Sequence, residues 1–333
     1  MAADGRRVEI LFLSHDEVAS LLCVTEVVDA VQGVFLADAG GGLALGPGAP
    51  MPVSDAGWLM SMPAAVLADG VAGVKWLGYY NRPEGSPLPT TWGNVLVLSH
   101  TETGLPFAVL DCTEITNMRT AGGHAAVAAR ALARAGSRTL GVIGAGAQAL
   151  AGIRAFDAVF DLDRIRVYSR TEETRGALVA GFAAEGSLRA QLEGVPSAEA
   201  ACEGADLLLT CSTSETPVVQ AAWIPEGCTV TAVSSFFDLD PAFSAEADKW
   251  VLGQAQADGA HIAHSPRFAG KVCASCVYGS LGEILAGKKP GRESDKERIL
   301  FTHMGMAAHD VAVGLRVYEK AVERNLGTVL RLA

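Results

Sequence analysis

The stretch Arg138-Thr-Leu-Gly-Val-Ile-Gly-Ala-Gly-Ala-Gln148, continuing as an amphipathic run through Ile153, Phe156 and Val159, reads as a strand, a tight glycine turn and a helix. Gly144, Gly146 and Ala149 fit the G-x-G-x-x-G/A pattern. In that pattern the first glycine makes the turn, the second lets a pyrophosphate approach the backbone, and the third small residue lets the helix sit close to the strand. Phosphates then rest on free N–H groups at the helix N-terminus. The pattern alone is weak, and an ordinary glycine-rich turn is the alternative. Its context favours dinucleotide binding, because Leu140, Val142 and Ile143 precede the turn and Arg164-Ile-Arg-Val-Tyr168 supplies a second strand.

Units that prefer NAD place Asp or Glu at the end of that second strand to bind the ribose 2′-OH, whereas an Arg accommodates a 2′-phosphate. Here the position reads Ser169-Arg170-Thr171, with no acid until Glu172. A carboxylate would repel the phosphate, and Arg170 with its flanking hydroxyls attracts it. NADP(H) is the preferred cofactor on this reading, and NAD(H) is accommodated if Arg170 is a solvated surface side chain.

With 333 residues, 50% hydrophobic and 19% charged, the chain has material for a large core and for two domains. Its net charge of −11 argues against a general affinity for nucleic acid or anionic membrane. Small-molecule chemistry is the expectation. Seven cysteines, an odd number spread through apolar segments such as Leu22-Cys23-Val24, read as buried reduced thiols. Arg6-Arg7 followed by Val8 to Leu13 is too short for a signal peptide, and no apolar run is long enough to span a bilayer. A cytoplasmic location is expected.

Met1 to Arg7 read as disordered. Ser14-His-Asp-Glu17 has the form of a capping box opening a helix, and Thr25 to Leu36 reads as a second one. The Gly- and Pro-rich segment from Ala39 to Pro52 reads as loop. Between Gly57 and Leu110, short apolar segments (Trp58 to Met60, Val71 to Leu77, Val95 to Leu98, Phe107 to Leu110) predict a mostly antiparallel sheet. The alanine-rich Ile115 to Ala135 predicts a helix leading into the strand at Leu140. Beyond it, Ala205 to Thr210, Thr229 to Val233 and Trp250 to Leu252 read as strands. Helices are expected at Glu173 to Glu185, within Ser197 to Glu203, and from Met306 to Arg324.

A substrate site needs further residues. Lys75 interrupts an apolar strand, where a charge is costly unless paired with an anion. Arg119 opens the connector helix at Asn117-Met-Arg-Thr120, where the helix dipole favours a carboxylate ligand. A solvent-facing Lys75 and a surface salt bridge for Arg119 stand as equal alternatives. Cys273-Ala-Ser-Cys276 has redox or zinc spacing but no second pair, and both are read as core thiols. His261 and His264 find no third ligand close in sequence, so no metal is expected. His303 and His309 are given structural roles.

Taken together, Arg119-Thr120-Ala121, the alanine-rich helix and Gly141-Val-Ile-Gly-Ala-Gly-Ala-Gln148 resemble the signature of the ornithine cyclodeaminase and μ-crystallin family. The resemblance covers nearly the whole chain. It includes Phe12-Leu13-Ser14, Met62-Pro63-Ala64, Gly73-Val74-Lys75, Pro89-Thr90 with Gly93, and Thr103-Gly104-Leu105-Pro106. Further on it includes Leu281-Gly282-Glu283, Gly287-Lys288, Gly291-Arg292 and Asp310. It implies an α/β protein in which a Rossmann dinucleotide-binding domain (120–310) is inserted into a discontinuous α+β substrate-binding and dimerisation domain (1–119 plus 311–333). A homodimer is implied, with a small-molecule carboxylate as substrate.

The resemblance also implies roles. Lys75 and Arg119 match the family's ligands for the substrate carboxylate, and Thr90 lines the same pocket. Asp238 matches the family's acidic residue, an acid/base at nitrogen that is catalytic together with Lys75, and Asp240 is a second candidate. The cofactor set is Thr120, Gly144, Gly146, Ala147, Gln148, Ser169, Arg170, Thr171 and Ser212. Family members act on C–N bonds beside a carboxylate, as ketimine reductases, amino acid dehydrogenases or cyclodeaminases, while μ-crystallin-like members bind without turnover. One departure weighs against a cyclodeaminase. Such enzymes carry an additional Arg upstream of Met-Pro-Ala, and this chain has no Arg or Lys between Arg7 and Lys75. Arg82 is one possible substitute. Trp58, Tyr79, Tyr80, Trp92, Phe236 and Phe237 further imply a pocket more apolar than a diamino acid needs. The reading is an NADP(H)-dependent oxidoreductase acting on an imine or amino acid.

Overall fold

The computed structural model describes residues 8–48, 50–80, 86, 95–233, 236–264 and 268–332. Met1 to Arg7, Arg82, Thr90, Trp92 and Gly93 lie outside the described residues. The chain forms two compact units, Met1–Arg119 with Met306–Ala333, and Thr120–Gly305. The chain re-enters the first unit at Met306, just ahead of the last helix, which begins at Ala307 with Ala307 and Ala308 already buried.

In the first unit the strands Thr328–Arg331, Glu9–Leu13, Pro106–Asp111, Val95–His100, Val71–Tyr80, Gly57–Val66 and Leu43–Leu45 hydrogen-bond in that order. All pairings are antiparallel except Glu9–Leu13 with Pro106–Asp111. The centre is the long hairpin Gly57–Val66 and Val71–Tyr80, whose turn contains Gly70 at φ +65°. The helix Ala307–Arg324 lies against one face of this sheet. Two glycines let it approach: a Cβ on Gly73 would stand 3.0 Å from Val311 and 2.7 Å from the Val97 carbonyl, and one on Gly314 would stand 2.4 Å from Leu96. The helix His15–Leu21 is capped as expected, with Glu17 Oε2 accepting the Ser14 N–H at 2.8 Å and its hydroxyl at 2.7 Å. The Ala39 to Pro52 segment is not all loop. It holds the strands Leu43–Leu45 and Met51–Ser54, both paired with Gly57–Val66 and too short to show alternation in sequence.

The expected helix Ile115 to Ala135 is three pieces. An α-helical Thr113–Asn117 leads into a π-helical Met118–Ala125 and an α-helical Ala126–Leu132. Such π segments recur at functional sites, and this one begins beside Arg119.

In the second unit all strands run parallel, in the order Gln191–Gly194, Arg164–Tyr168, Thr139–Ile143, Leu207–Thr210, Thr229–Ala232, Ile299–Thr302, Lys249–Leu252, Val277–Ser280. From Thr139–Ile143 the chain winds first to one side, through Arg164–Tyr168, and then to the other, through Leu207–Thr210. That reversal is the switch point where doubly wound sheets bind ligands, outside the carboxyl ends of the strands. Trp250 anchors the core, its Nε1 donating to Thr302 Oγ1 at 2.9 Å. Cys273 and Cys276 are not core thiols. They are half-exposed and joined in a disulfide across a Cα separation of 5.3 Å, whereas Cys112, Cys202, Cys211 and Cys228 are buried free thiols. Among the described residues no single helix is long and apolar enough to cross a membrane.

Candidate active site

The first unit places four polar groups around one buried carboxylate. Asp310, in the first turn of the last helix, is 0% exposed. Its Oδ1 accepts from Lys75 Nζ at 3.1 Å, Arg119 Nε at 3.1 Å and Thr116 Oγ1 at 3.3 Å, with Cys112 Sγ at 3.7 Å. Lys75 points from the hairpin into the helix face because side chains alternate along a strand and Gly73, two residues earlier, is the site of helix contact. The solvent-facing alternative for Lys75 is excluded, since the residue is 2% exposed.

Burial pushes the Lys75 ammonium below its ordinary pKa, and the neighbouring Arg119 adds to this while Asp310 opposes it. For Asp310, burial works to raise the pKa, but Arg119 and Lys75 together hold it below the usual carboxylate range. The Cys112 thiol is pushed up to about 12 by burial and by Asp310, so it is protonated. Two cations and one carboxylate leave one positive charge in a nearly dry site. An anion is the ligand that completes it. Asp310, Thr116 and Cys112 were not assigned roles from sequence.

In the second unit the glycine turn has the expected form. Gly144 lies at φ +125°, donates its N–H to the Tyr168 carbonyl at 2.8 Å, and has no room for a Cβ, which would stand 3.0 Å from the Cys211 carbonyl. Gly146 caps the helix Ala147–Val159 with open space where a Cβ would point. Gly146 and Ala147 are exposed, so this helix start is accessible to a phosphate. Gln148 Oε1 accepts the Ala121 N–H at 3.0 Å, tying the helix to the residue after Thr120. At the end of the second strand Ser169 Oγ donates to the Thr171 carbonyl at 2.8 Å, and Arg170 is exposed without an ion-pair partner among the described residues. Arg175, missed in sequence, donates to the Ser169 carbonyl at 3.1 Å and adds a second guanidinium beside this turn.

Asp238 and Asp240 separate clearly. Asp240 Oδ1 accepts the Ala242 N–H at 3.0 Å, a local turn contact. Asp238 is 0% exposed; its Oδ1 accepts from Thr210 Oγ1 at 3.1 Å and its Oδ2 from the Ser212 N–H and hydroxyl, both at 3.0 Å. Burial pushes its carboxyl up, against the pull of the Ser212 and Thr210 bonds. With both oxygens engaged, Asp238 clamps the turn that carries Ser212 at the carboxyl edge of Leu207–Thr210. Thr90 lies outside the described residues.

Fold and site define a protein with a Rossmann-type dinucleotide-binding unit and, in its first unit, a buried cationic site. The chain belongs to the ornithine cyclodeaminase/mu-crystallin family, whose model matches residues 8–325. It is 33% identical to an alanine dehydrogenase of Archaeoglobus fulgidus over 97% of this chain and 98% of that one. Among solved structures it resembles a Thermococcus litoralis Delta(1)-pyrroline-2-carboxylate reductase in complex with NADH and L-proline, with TM-score 0.86 and 29% identity over 96% of this chain and 99% of the other. It also resembles an archaeal alanine dehydrogenase dimer with bound NAD, with TM-score 0.85 and 32% identity over 98% and 100% of the two chains.

Proposed function

We propose that this protein is an NAD(P)(H)-dependent oxidoreductase that interconverts an amino acid and its imine, with NADP(H) preferred. The observation that carries the reading is the unbalanced positive charge of Lys75 and Arg119 around Asp310. That charge holds the substrate carboxylate and so fixes the neighbouring C–N carbon; orientation of this kind supplies much of the rate in hydride transfers. The nicotinamide nucleotide, when bound, supplies the hydride acceptor or donor. Gly144, Gly146, Ala147 and the first turn of Ala147–Val159 hold its pyrophosphate, while Ser169, Arg170 and Thr171, backed by Arg175, hold the 2′-phosphate. Thr120, Gln148 and Ser212 complete the nucleotide site, and Asp238 fixes Ser212. An imine that enters protonated needs no proton from the protein in the hydride step. The relatives include a dehydrogenase and a reductase of this chemistry.

A homodimer belongs to the same reading. On the face opposite the last helix, Phe12, Val109, Val97, Val74 and Pro63 stand opposite one another across five strands. An apolar row of this length on one sheet face suits a second copy, and the archaeal alanine dehydrogenase structure is a dimer.

The test is nucleotide oxidation with cyclic imino acids, and with 2-oxo acids plus ammonia, run with NADPH and NADH in parallel. Faster turnover with NADPH is expected. Ammonia release from ornithine or lysine without net change in the nucleotide would replace the oxidoreductase by a cyclodeaminase. Ligand-dependent stabilisation without turnover would leave a binding protein.

A further inference from the structure

The face of the hairpin that carries Lys75 continues beyond it. In the antiparallel register Met62 stands opposite Lys75, Met60 opposite Leu77, and Trp58 opposite Tyr79, so all six side chains share one face. Trp58 and Tyr79 stack accordingly, with ring centroids 6.0 Å apart and planes 24° from parallel. Successive rows on a face are about 7 Å apart. The Met60–Leu77 row therefore lies about 7 Å, and the aromatic pair about 14 Å, from the row that holds the carboxylate ligand.

The opposite direction is closed. Val311 packs on Gly73, and Leu96, beside Lys75 in register, packs on Gly314. Along the hairpin the helix recedes, with Val311 at Gly73, Asp310 at Lys75, and the helix start at Ala307. Among the described residues of this unit, a substrate whose carboxylate is fixed by Lys75 and Arg119 therefore has one direction left for its side chain, along Met62, Met60 and Leu77 toward Trp58 and Tyr79. Among the described residues that path carries no carboxylate and no cation. Leu77 is 4% exposed, and the two thioethers are adaptable contacts for apolar groups of varied shape.

We infer that Met60, Met62, Leu77 and the Trp58–Tyr79 pair form the side-chain subsite, and that the substrate is a 2-imino or 2-amino acid with a bulky apolar, best aromatic, side chain. The inference rests on the carboxylate reading of Lys75 and Arg119. A side-chain ammonium brought onto this path would be stripped of water with no partner among the described residues, so diamino acids are disfavoured. An aryl group gains from burial against the methionines and Leu77.

The experiment compares kcat/KM for reductive amination of pyruvate, 4-methyl-2-oxopentanoate and phenylpyruvate with ammonia, in the wild-type protein and in Met60→Glu and Met60→Ala. In the wild type phenylpyruvate is expected to exceed pyruvate by about 30-fold or more, the range that extra buried carbons give in apolar pockets. Both variants should cut that ratio at least about tenfold. Met60→Ala, a truncation at a half-buried site, keeps the test valid if Met60→Glu does not fold. A wild type that prefers pyruvate, or a ratio that neither folded variant moves, overturns the subsite and leaves the oxidoreductase standing. Absence of turnover with every acid and both nucleotides removes the activity and the subsite together.

Discussion

Replacing Asp310 by Asn removes the single negative charge around which Lys75 and Arg119 are arranged. Two buried cations then face each other uncompensated, and breaking such a pair typically costs about 3–5 kcal/mol. Urea denaturation of D310N should show a loss of that order. The pH dependence has a definite sign. Because the folded chain holds Asp310 below its ordinary pKa, its stabilisation is complete above the unfolded value of about 3.9 and is lost as pH falls through the lower folded value. That part of the acid limb should be missing from D310N, and a variant with an unchanged acid limb would show that the carboxylate is not ionised in the native site. Lys75→Met should raise the KM for substrate at least about tenfold, the worth of one charge-assisted contact, while nucleotide affinity stays at the wild-type value in a fluorescence titration. Lys75 was legible in the sequence because a charge inside an apolar strand must be paired. Asp310 was not legible as its partner, since an acid in the first turn of a helix is favoured by the dipole anyway and the two residues are 235 positions apart.

At the scale of elements, the strand–turn–helix of Thr139 to Val159 was readable because each part obeys a local rule: an apolar strand, a positive-φ glycine, a small residue at the helix contact. Gly144→Ala should therefore be strongly destabilising, as it combines a φ of +125° with a Cβ 3.0 Å from the Cys211 carbonyl. The Ser169-Arg170-Thr171 turn carries a separate prediction. Arg170→Ala should weaken NADPH at least about tenfold and leave NADH nearly unchanged; equal effects on both would mean that Arg170 does not meet the 2′-phosphate. Asp238→Asn should lower thermal stability and weaken nucleotide binding, because an amide cannot accept from both Thr210 and Ser212. Its pH–rate profile should match the wild type, and a displaced profile would return Asp238 to proton exchange at the substrate. Elements that the sequence concealed are short or made by their neighbours. Gln191–Gly194 and Val277–Ser280 are four-residue strands at the two edges of the parallel sheet, and Ile299–Thr302 is a four-residue apolar run without alternation. The π-helical turn at Met118–Ala125 has no signature in periodicity, since small residues such as Ala121, Gly122 and Gly123 suit either winding.

For the whole molecule, pattern alone indicated two domains, but it did not show which sheet face remains open. That face emerges only from the register of five strands contributed by residues between Phe12 and Val109. The helices Val24–Ala39 and Ala307–Arg324 pack against each other, and the latter covers the Lys75 face. The opposite face keeps Phe12 at 39% and Trp76 at 44% exposure, and both are too large and apolar to be left in water without cost. Val97 sits at the middle of the apolar row, opposite Val74 on one side and Val109 on the other. A lysine there points away from the Lys75 site and places a cation in the centre of the proposed dimer contact, once in each copy. In a symmetric interface the same patch meets itself, so the two charges desolvate and repel together. Light scattering should therefore report a dimeric wild type and a monomeric Val97→Lys, with far-UV circular dichroism unchanged. A variant that remains dimeric moves the interface to another surface, and a wild type that is monomeric at micromolar concentration shows that the apolar row is not a subunit contact.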